Sequence, residues 1–409
     1  MLLPLVSVDR PIIISHPLVG PQPPNGQRGD PRGDRLNLKE ARSGGFHRVA
    51  IPTAIEFTKT RGGIFMDGLY TLANDVVLDQ LIAFLNSVEA NGGRLADGSP
   101  YPVLVCPYDH RIDRLKTVLA DWPHVQILED WDLIAHWDQF SKSVIEATPL
   151  ALQLYEQEPN LYGRTMGGRR RLAAFDGPFD RFIYLDADTL VLQPLAPLFA
   201  ALETADWVTY DFQYKDPAHV YRVASPLLQS LFSPEQMQQS LFCSGLYATK
   251  RGVLTLDRCD ELLKQLQAGE SDVLYPRSAD QALLNYLVMR SNLRITNLAR
   301  TWPKEQVTGN SVTSKHFVER SGQVFDRDRP LLYLHYIGLS SSLFSRVCAG
   351  ENITFPYRDT FLHYRYLKHP QQHPRLVGRP RAHNAPPSLW ERAQRKFKQK
   401  FKQWMRKSA

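Results

Sequence analysis

An α/β fold is predicted by three observations. The run Arg181-Phe-Ile-Tyr-Leu-Asp-Ala-Asp-Thr-Leu-Val-Leu192 holds a short apolar, aromatic and β-branched segment, Phe182 to Leu185, that reads as a buried strand ending in two carboxylates. Upstream of it, strand-like and amphipathic helical patterns alternate, as they do in sheets built from βα units. The chain has 409 residues and is 43% hydrophobic, enough for one large α/β core or two modest ones.

Taken in order, residues 1–45 contain Pro4, Pro11, Pro17, Pro21, Pro23, Pro24 and Pro31 among many Gly and Arg, and from about Gly20 no helical or strand period is visible. Such composition predicts a disordered arm. A strand-like start follows near Arg48 to Thr53. Gly68-Leu-Tyr-Thr-Leu-Ala-Asn-Asp75 then reads as strand and polar turn. Residues 76–87 read as a helix, with Val77, Leu81, Phe84, Leu85 and Val88 on one face. Pro102–Cys106 is a second strand, Arg111–Ala120 a helix and Val125–Leu128 a third strand. Residues 131–170 are less regular, with Trp131, Trp137, Pro149 and a Gly167-Gly-Arg-Arg-Arg171 cluster; a lid over a site and an ordinary pair of surface helices are both open readings. The central strand follows, then a strand at Trp207–Tyr210.

Two carboxylates at the carboxyl end of a buried strand sit where open α/β sheets bind ligands. The pair Asp186 and Asp188 offers oxygen ligands to a hard divalent cation that can in turn hold a diphosphate. The plainer reading, a strand end followed by a turn, uses the same residues. Further on, Phe242–Thr249 reads as a strand entered through Ser244-Gly245, small enough to let backbone approach a ligand. Asp280-Gln281 opens a helix with an acidic residue at its positive end. Leu331-Leu-Tyr-Leu-His-Tyr-Ile-Gly338 is an apolar strand ending in His335.

In this order and spacing, Leu185-Asp-Ala-Asp-Thr189, Ser244-Gly245, Asp280-Gln-Ala-Leu-Leu-Asn285 and His335-Tyr-Ile-Gly338 resemble the retaining glycosyltransferases of family 8, the group of glycogenin and the bacterial lipopolysaccharide galactosyltransferases. The chain resembles more narrowly a cyanobacterial branch of such sugar transferases. The resemblance covers roughly residues 64–345 and includes Ala73-Asn-Asp75, which matches a nucleotide-contacting Ala-x-Asp.

The resemblance implies a GT-A fold over residues 46–368, a nucleotide-diphospho-sugar transferase architecture with a mixed central sheet flanked by helices. It implies that Asp186, Asp188 and His335 bind a manganese ion, with magnesium the other candidate, and a carboxylate–imidazole set suits Mn²⁺ better than Mg²⁺. It further implies donor contacts from Ala73, Asn74, Asp75, Arg171, Asp186, Ala187, Ser244, Gly245 and Gly338, and a catalytic role beside the sugar for Asp280 and Gln281, covalent or electrostatic. The expected activity is transfer from a nucleotide-sugar, a UDP-sugar by resemblance, to a glycan or glycolipid acceptor with retention. Two residues depart from the pattern: Cys243 stands where the family has Asn, and Ser341 near where it has Lys. They motivate a second reading, a catalytically weak GT-A domain that binds nucleotide-sugar or glycan as a scaffold. For the Arg169–Arg171 run, a solvated basic turn stays open beside a donor contact.

The formal charge of +7 resides in the tail: residues 389–409 hold eight Lys or Arg against the single Glu391. Nucleic acid is therefore not an expected partner of the remainder. Trp390, Ala393, Phe397, Phe401, Trp404 and Met405 recur at helical spacing in that tail, which predicts an amphipathic helix adsorbing to an anionic membrane surface. A Pro- and His-rich stretch at 369–388 reads as a flexible link to it. Four widely spaced cysteines suggest neither zinc nor disulfides. With no apolar run of membrane-spanning length and no signal-peptide pattern at Met1-Leu-Leu-Pro-Leu, the expected location is the cytoplasm, at the inner face of the membrane.

Overall fold

The computed structural model describes residues 66–386. The expected arm over 1–45, the strand-like start near 48–53 and the basic helix over 389–409 lie outside the described residues. Eight strands matter for the site: β1 (Asp67–Ala73), β2 (Val103–Pro107), β3 (Val125–Ile127), β4 (Arg181–Leu185), β5 (Thr189–Val191), β6 (Trp207–Thr209), β7 (Leu246–Lys250) and β8 (Ile295–Asn297). Seven form the central sheet, in the order β3-β2-β1-β4-β7-β6-β8. All run parallel except β7, which is antiparallel to both of its neighbours. This is the mixed sheet flanked by helices that the sequence leads one to expect.

The period-two alternation of strands explains both faces. Phe182 and Tyr184 of β4 join Tyr70, Leu104 and Cys106 in one buried cluster, while Ile183 and Leu185 join Leu69, Val103 and Val105 in another. The second face is covered by α1 (Leu78–Asn91), whose Leu81, Phe84, Leu85 and Val88 are buried as their spacing predicts, and by α2 (Asp113–Val118). The stretch 131–170 folds into three helices, α3 (Trp131–Glu146), α4 (Pro149–Gln157) and α5 (Pro159–Arg169). Leu133, Ile134, Trp137, Phe140 and Val144 of α3 belong to the first cluster, so α3 is part of the core, while Ala151, Tyr155 and Leu161 of α4 and α5 form a small cluster of their own with Ile145.

The chain leaves β1 toward β2 and β3 on one side, then returns to place β4 on the other side of β1. Ligands bind α/β sheets at such a switch, outside the carboxyl ends of the strands. Ala73-Asn74-Asp75 ends β1 and Asp186 follows β4, so both motifs face the same crevice edge.

Beyond β4 the chain departs from the main sheet. Strand β5 pairs antiparallel with the strand Tyr333–His335, in a register that sets Thr189 opposite His335. The link expected to be flexible over 369–388 differs over its described part: Val377–Ala382 is a strand parallel to Glu351–Thr354, tied by Val377 N–H donating to the Gly350 carbonyl and His383 N–H to that of Thr354. Pro380 is tolerated there because this is an edge strand. All four cysteines are free, and among the described residues no helix is long and apolar enough to cross a membrane.

Candidate functional site

Residues far apart in the chain converge after β4. Ligand-capable atoms of Asp186, Asp188 and His335 all lie within 4.8 Å of one another, a group of the kind that can hold a metal ion. His335 Nε2 is 3.2 Å from Asp188 Oδ1 and 3.8 Å from Asp186 Oδ2. The backbone fixes this meeting: His335 N–H donates to Asn310 O (2.7 Å), and the next amide, of Tyr336, donates to Asp188 O (2.9 Å). Asp186 N–H donates to Gly245 O (3.0 Å). A Cβ at position 245 would sit 2.5 Å from His335 Cε1 and 3.2 Å from Asp186 Oδ2, so the Ser-Gly pair brings bare backbone against the imidazole.

The two carboxylates are not equivalent. Asp186 Oδ1 accepts from Arg171 Nη2 and from the Tyr184 hydroxyl, both at 3.0 Å, which leaves Oδ2 facing His335. Burial pushes the Asp186 carboxyl above its ordinary value, with Arg171 opposing; for Asp188 burial is outweighed by His335, and its value falls. Burial alone lowers a histidine, but Asp188 lifts His335 well above its usual range, helped by a hydrogen bond with Cys243. Two carboxylates and one imidazole, with orienting partners already engaged, are a donor set that fits a divalent cation such as Mn²⁺.

Arg171 is the organising cation of the site. It is buried, its guanidinium stacks 4.5 Å over the Tyr184 ring, and besides Asp186 it meets Asp280 Oδ2 at 3.2 Å and donates to Ser244 O at 2.8 Å. Arg169 is buried too, so the reading of Arg169–Arg171 as a solvated turn does not hold; Arg170 lies nearer the surface, paired with Asp138.

The helix Gln281–Arg290 explains the spacing of Asp280, Gln281 and Asn285. Asp280 accepts from Ser244 Oγ (2.9 Å), Gln281 Oε1 accepts from Ser244 N–H (3.2 Å), and Asn285 both accepts from Phe242 N–H (3.0 Å) and donates to Phe242 O (2.9 Å). One helix face thus holds the backbone leading into β7. Asp280 does not cap its own helix; its carboxylate is turned to Ser244 and Arg171 instead.

Other expected site residues are placed differently. Asp75 Oδ1 and Oδ2 accept from the amides of Leu115 (2.9 Å) and Arg114 (3.3 Å), closing the start of α2, while Asn74 bonds Asp109 and the Val76 amide. Their side chains lock two loops of the crevice together. Ala73 and Ala187 are buried among core side chains, leaving only their backbone to meet a ligand. Gly338 has φ +82°, a left-handed turn that glycine adopts without cost, three residues past His335.

Two neighbours of the cluster fall outside the expected set, and one buried acid stands at the same sheet edge. Tyr184 is two positions before Asp186 and therefore on the same strand face, a signal available from periodicity. Cys243 enters the expectation only as a departure, yet it contributes to the raised value of His335. Asp211 follows β6 at the same sheet edge; it is 3% exposed, its Oδ2 has no hydrogen-bond partner, and burial raises its carboxyl to about 7.

An α/β sheet with a carboxylate–imidazole cluster at its switch point is the class the fold and site define. Searches with protein-family models and of curated proteins found no match. Among solved structures the chain is similar to the apo form of WbbM, a bifunctional glycosyltransferase (TM-score 0.44, 13% identity, 77% of this chain and 52% of that one), of whose length it spans about half. It is also similar to the galactosyltransferase LgtC in complex with donor and acceptor sugar analogues (0.43, 15%, 72% and 100%) and to mouse xyloside xylosyltransferase 1 in apo form (0.40, 15%, 58% and 86%). None of the three reaches a TM-score of 0.5, and the functional reading rests on the site geometry.

Proposed function

We propose that the chain is a metal-dependent glycosyltransferase of GT-A type that moves a sugar from a nucleotide-sugar, a UDP-sugar on the family 8 resemblance, to a glycan or glycolipid acceptor with retention. The observation that carries this reading is the convergence of Asp186, Asp188 and His335 within 4.8 Å at the switch point of the sheet. Those three residues would hold Mn²⁺, or Mg²⁺ in its place. When bound, the ion supplies positive charge that neutralises the departing nucleoside diphosphate. The protein does the rest. Arg171 and Tyr184 keep Asp186 turned so that Oδ2 faces His335, and Gly245 leaves room for the His335 ring to close on it. Asp280 and Gln281, held by Ser244, line the sugar side, where carboxylate and amide oxygens favour an oxocarbenium-like transition state. The backbone at Ala73, Ala187 and Gly338 and the loop locked by Asn74 and Asp75 frame the nucleotide.

Adding Mn²⁺ and a panel of nucleotide-sugars to the purified full chain tests the proposal. Slow donor hydrolysis that requires the ion and disappears in Asp188→Ala is expected; absence of both ion binding and turnover sinks it. Binding without turnover for every donor and acceptor favours the scaffold reading, which the departures at Cys243 and Ser341 motivate. Residues 389–409 are proposed to attach the enzyme to the inner membrane face. Undiminished liposome flotation of protein ending at Pro387 would refute that anchor.

A further inference from the structure

The sequence leaves Arg169 without a task, and the structure puts it where a cation is hard to accommodate. Its side chain is buried at 6% exposure, and its two hydrogen bonds go to main-chain carbonyls rather than to a carboxylate: Nε to Ala279 O and Nη1 to Ser141 O, both at 3.1 Å. A buried guanidinium whose hydrogen bonds go only to neutral acceptors lacks the direct contact of an ion pair, and the Asp280 carboxylate acts on it only through space. Such an arrangement persists where the group does something a packed apolar side chain could not.

Ala279, whose carbonyl it holds, is one of the few non-glycine residues with a positive φ, at 21°, and it immediately precedes Asp280. On the same turn of chain, Gly168 closes on Asp280 so tightly that a Cβ there would stand 3.2 Å from Oδ1, and Arg171 pairs with Oδ2. The end of α5 and the turn that follows it therefore reach Asp280 from three sides: through the carbonyl before it, the space beside it and the charge opposite it.

We infer that Arg169 is a positioning residue for Asp280: it holds the Ala279 peptide in its left-handed turn and so aims the Asp280 carboxylate at Ser244 and Arg171 instead of at the start of its own helix. The α3–α5 helices are then the frame from which the sugar side of the site is set, because Ser141 of α3 supplies the other anchor. That Asp280 serves a donor sugar rests on the transferase reading; that Arg169 sets its direction does not.

Arg169→Met in the full chain separates the two. Amide hydrogen exchange is read at Ala282 and Leu284, whose bonds run to Ser278 O and Asp280 O, and at Tyr286 and Leu287 further along the helix. The expected result is exchange faster by on the order of tenfold at the first pair alone. Mn²⁺ affinity should stay within about twofold of wild type, since none of its three ligands is touched. Donor hydrolysis should fall roughly 10- to 100-fold in kcat with KM nearly unchanged, the effect of a displacement of about 1 Å. Unchanged exchange at Ala282 and Leu284, or an equal rise along the whole helix with a matching drop in Tm, overturns the inference. If the wild-type chain turns over no donor at all, the transferase reading fails while the exchange pattern still decides this one. Should Arg169→Met not fold, Arg169→Lys, which keeps a donor for one carbonyl, is read by the same exchange measurement with the same two outcomes.

Discussion

Gly245→Ala is the sharpest perturbation the site offers. The position has no positive φ, so alanine is acceptable to the backbone and the effect is confined to its methyl group. That methyl would lie 2.5 Å from His335 Cε1 and 2.9 Å from Nδ1. Carbon atoms pack at about 3.5–4.0 Å, so the ring must retreat by roughly 1 Å or rotate out. Metal–ligand bonds tolerate only about 0.2 Å. His335 is held by its own backbone pairing and cannot follow as a unit, so the ligand is lost. Disturbing a partner of a metal ligand typically costs about 10- to 100-fold in affinity, and displacing the ligand itself should reach the upper end. The expected outcome is Mn²⁺ affinity weaker by at least about 100-fold, or roughly 2.7 kcal/mol, with an unchanged circular dichroism spectrum. Calorimetric titration of wild type and variant reads it. A folded Gly245→Ala protein that binds Mn²⁺ within threefold of wild type would refute the three-residue cradle.

Three further outcomes follow from the same geometry. Asp211 has a folded value raised to about 7 by burial, so the native state prefers its protonated form; the stability this provides is full below about pH 4 and is lost as pH rises toward 7, by up to about 4 kcal/mol. Urea titrations of wild type and Asp211→Asn should therefore diverge across that window, the wild type losing ground as pH rises, and parallel curves would count against it. Asn285→Ala leaves the buried Phe242 amide and carbonyl without their partner and should cost about 2–5 kcal/mol in the same assay; a loss below about 1 kcal/mol would mean that the strand lead-in is held by other contacts. Saturating Mn²⁺ should raise thermal stability, by about 2.7 kcal/mol at a hundredfold excess over its dissociation constant, and chelation should reverse it; no shift in wild type argues against a native-state site.

The strands ending at Ala73 and Leu185, the face of α1 and the carboxylate pair at the central edge could all be read from the sequence, because alternation and helical spacing reflect burial directly. The same rule reached Tyr184 and Asp211 in principle. What could not be read was direction. Nothing local says that Asp75 turns its carboxylate to the amides of α2, that Asp280 turns away from its own helix, or that Arg169 is buried rather than solvated; each depends on an element brought up by the fold from elsewhere. The strand Val377–Ala382 was hidden for a related reason: its Pro and Arg content suits a link, and its pairing with Glu351–Thr354 is an edge contact that requires little of side chains. His335 could be tied to the aspartates only through the family resemblance, since the pairing that joins them links distant parts of the chain.

That pairing has a kinetic side. The ladder between Thr189–Val191 and Tyr333–His335 is short and joins segments far apart in the chain, so closing it requires the intervening β7 and β8 regions to be largely in place. A slip of one residue would turn the imidazole to the opposite face. Capacity to capture the cation should therefore emerge late in refolding, after most secondary structure has returned, and a paramagnetic ion added during refolding would act as a clock for the final docking step.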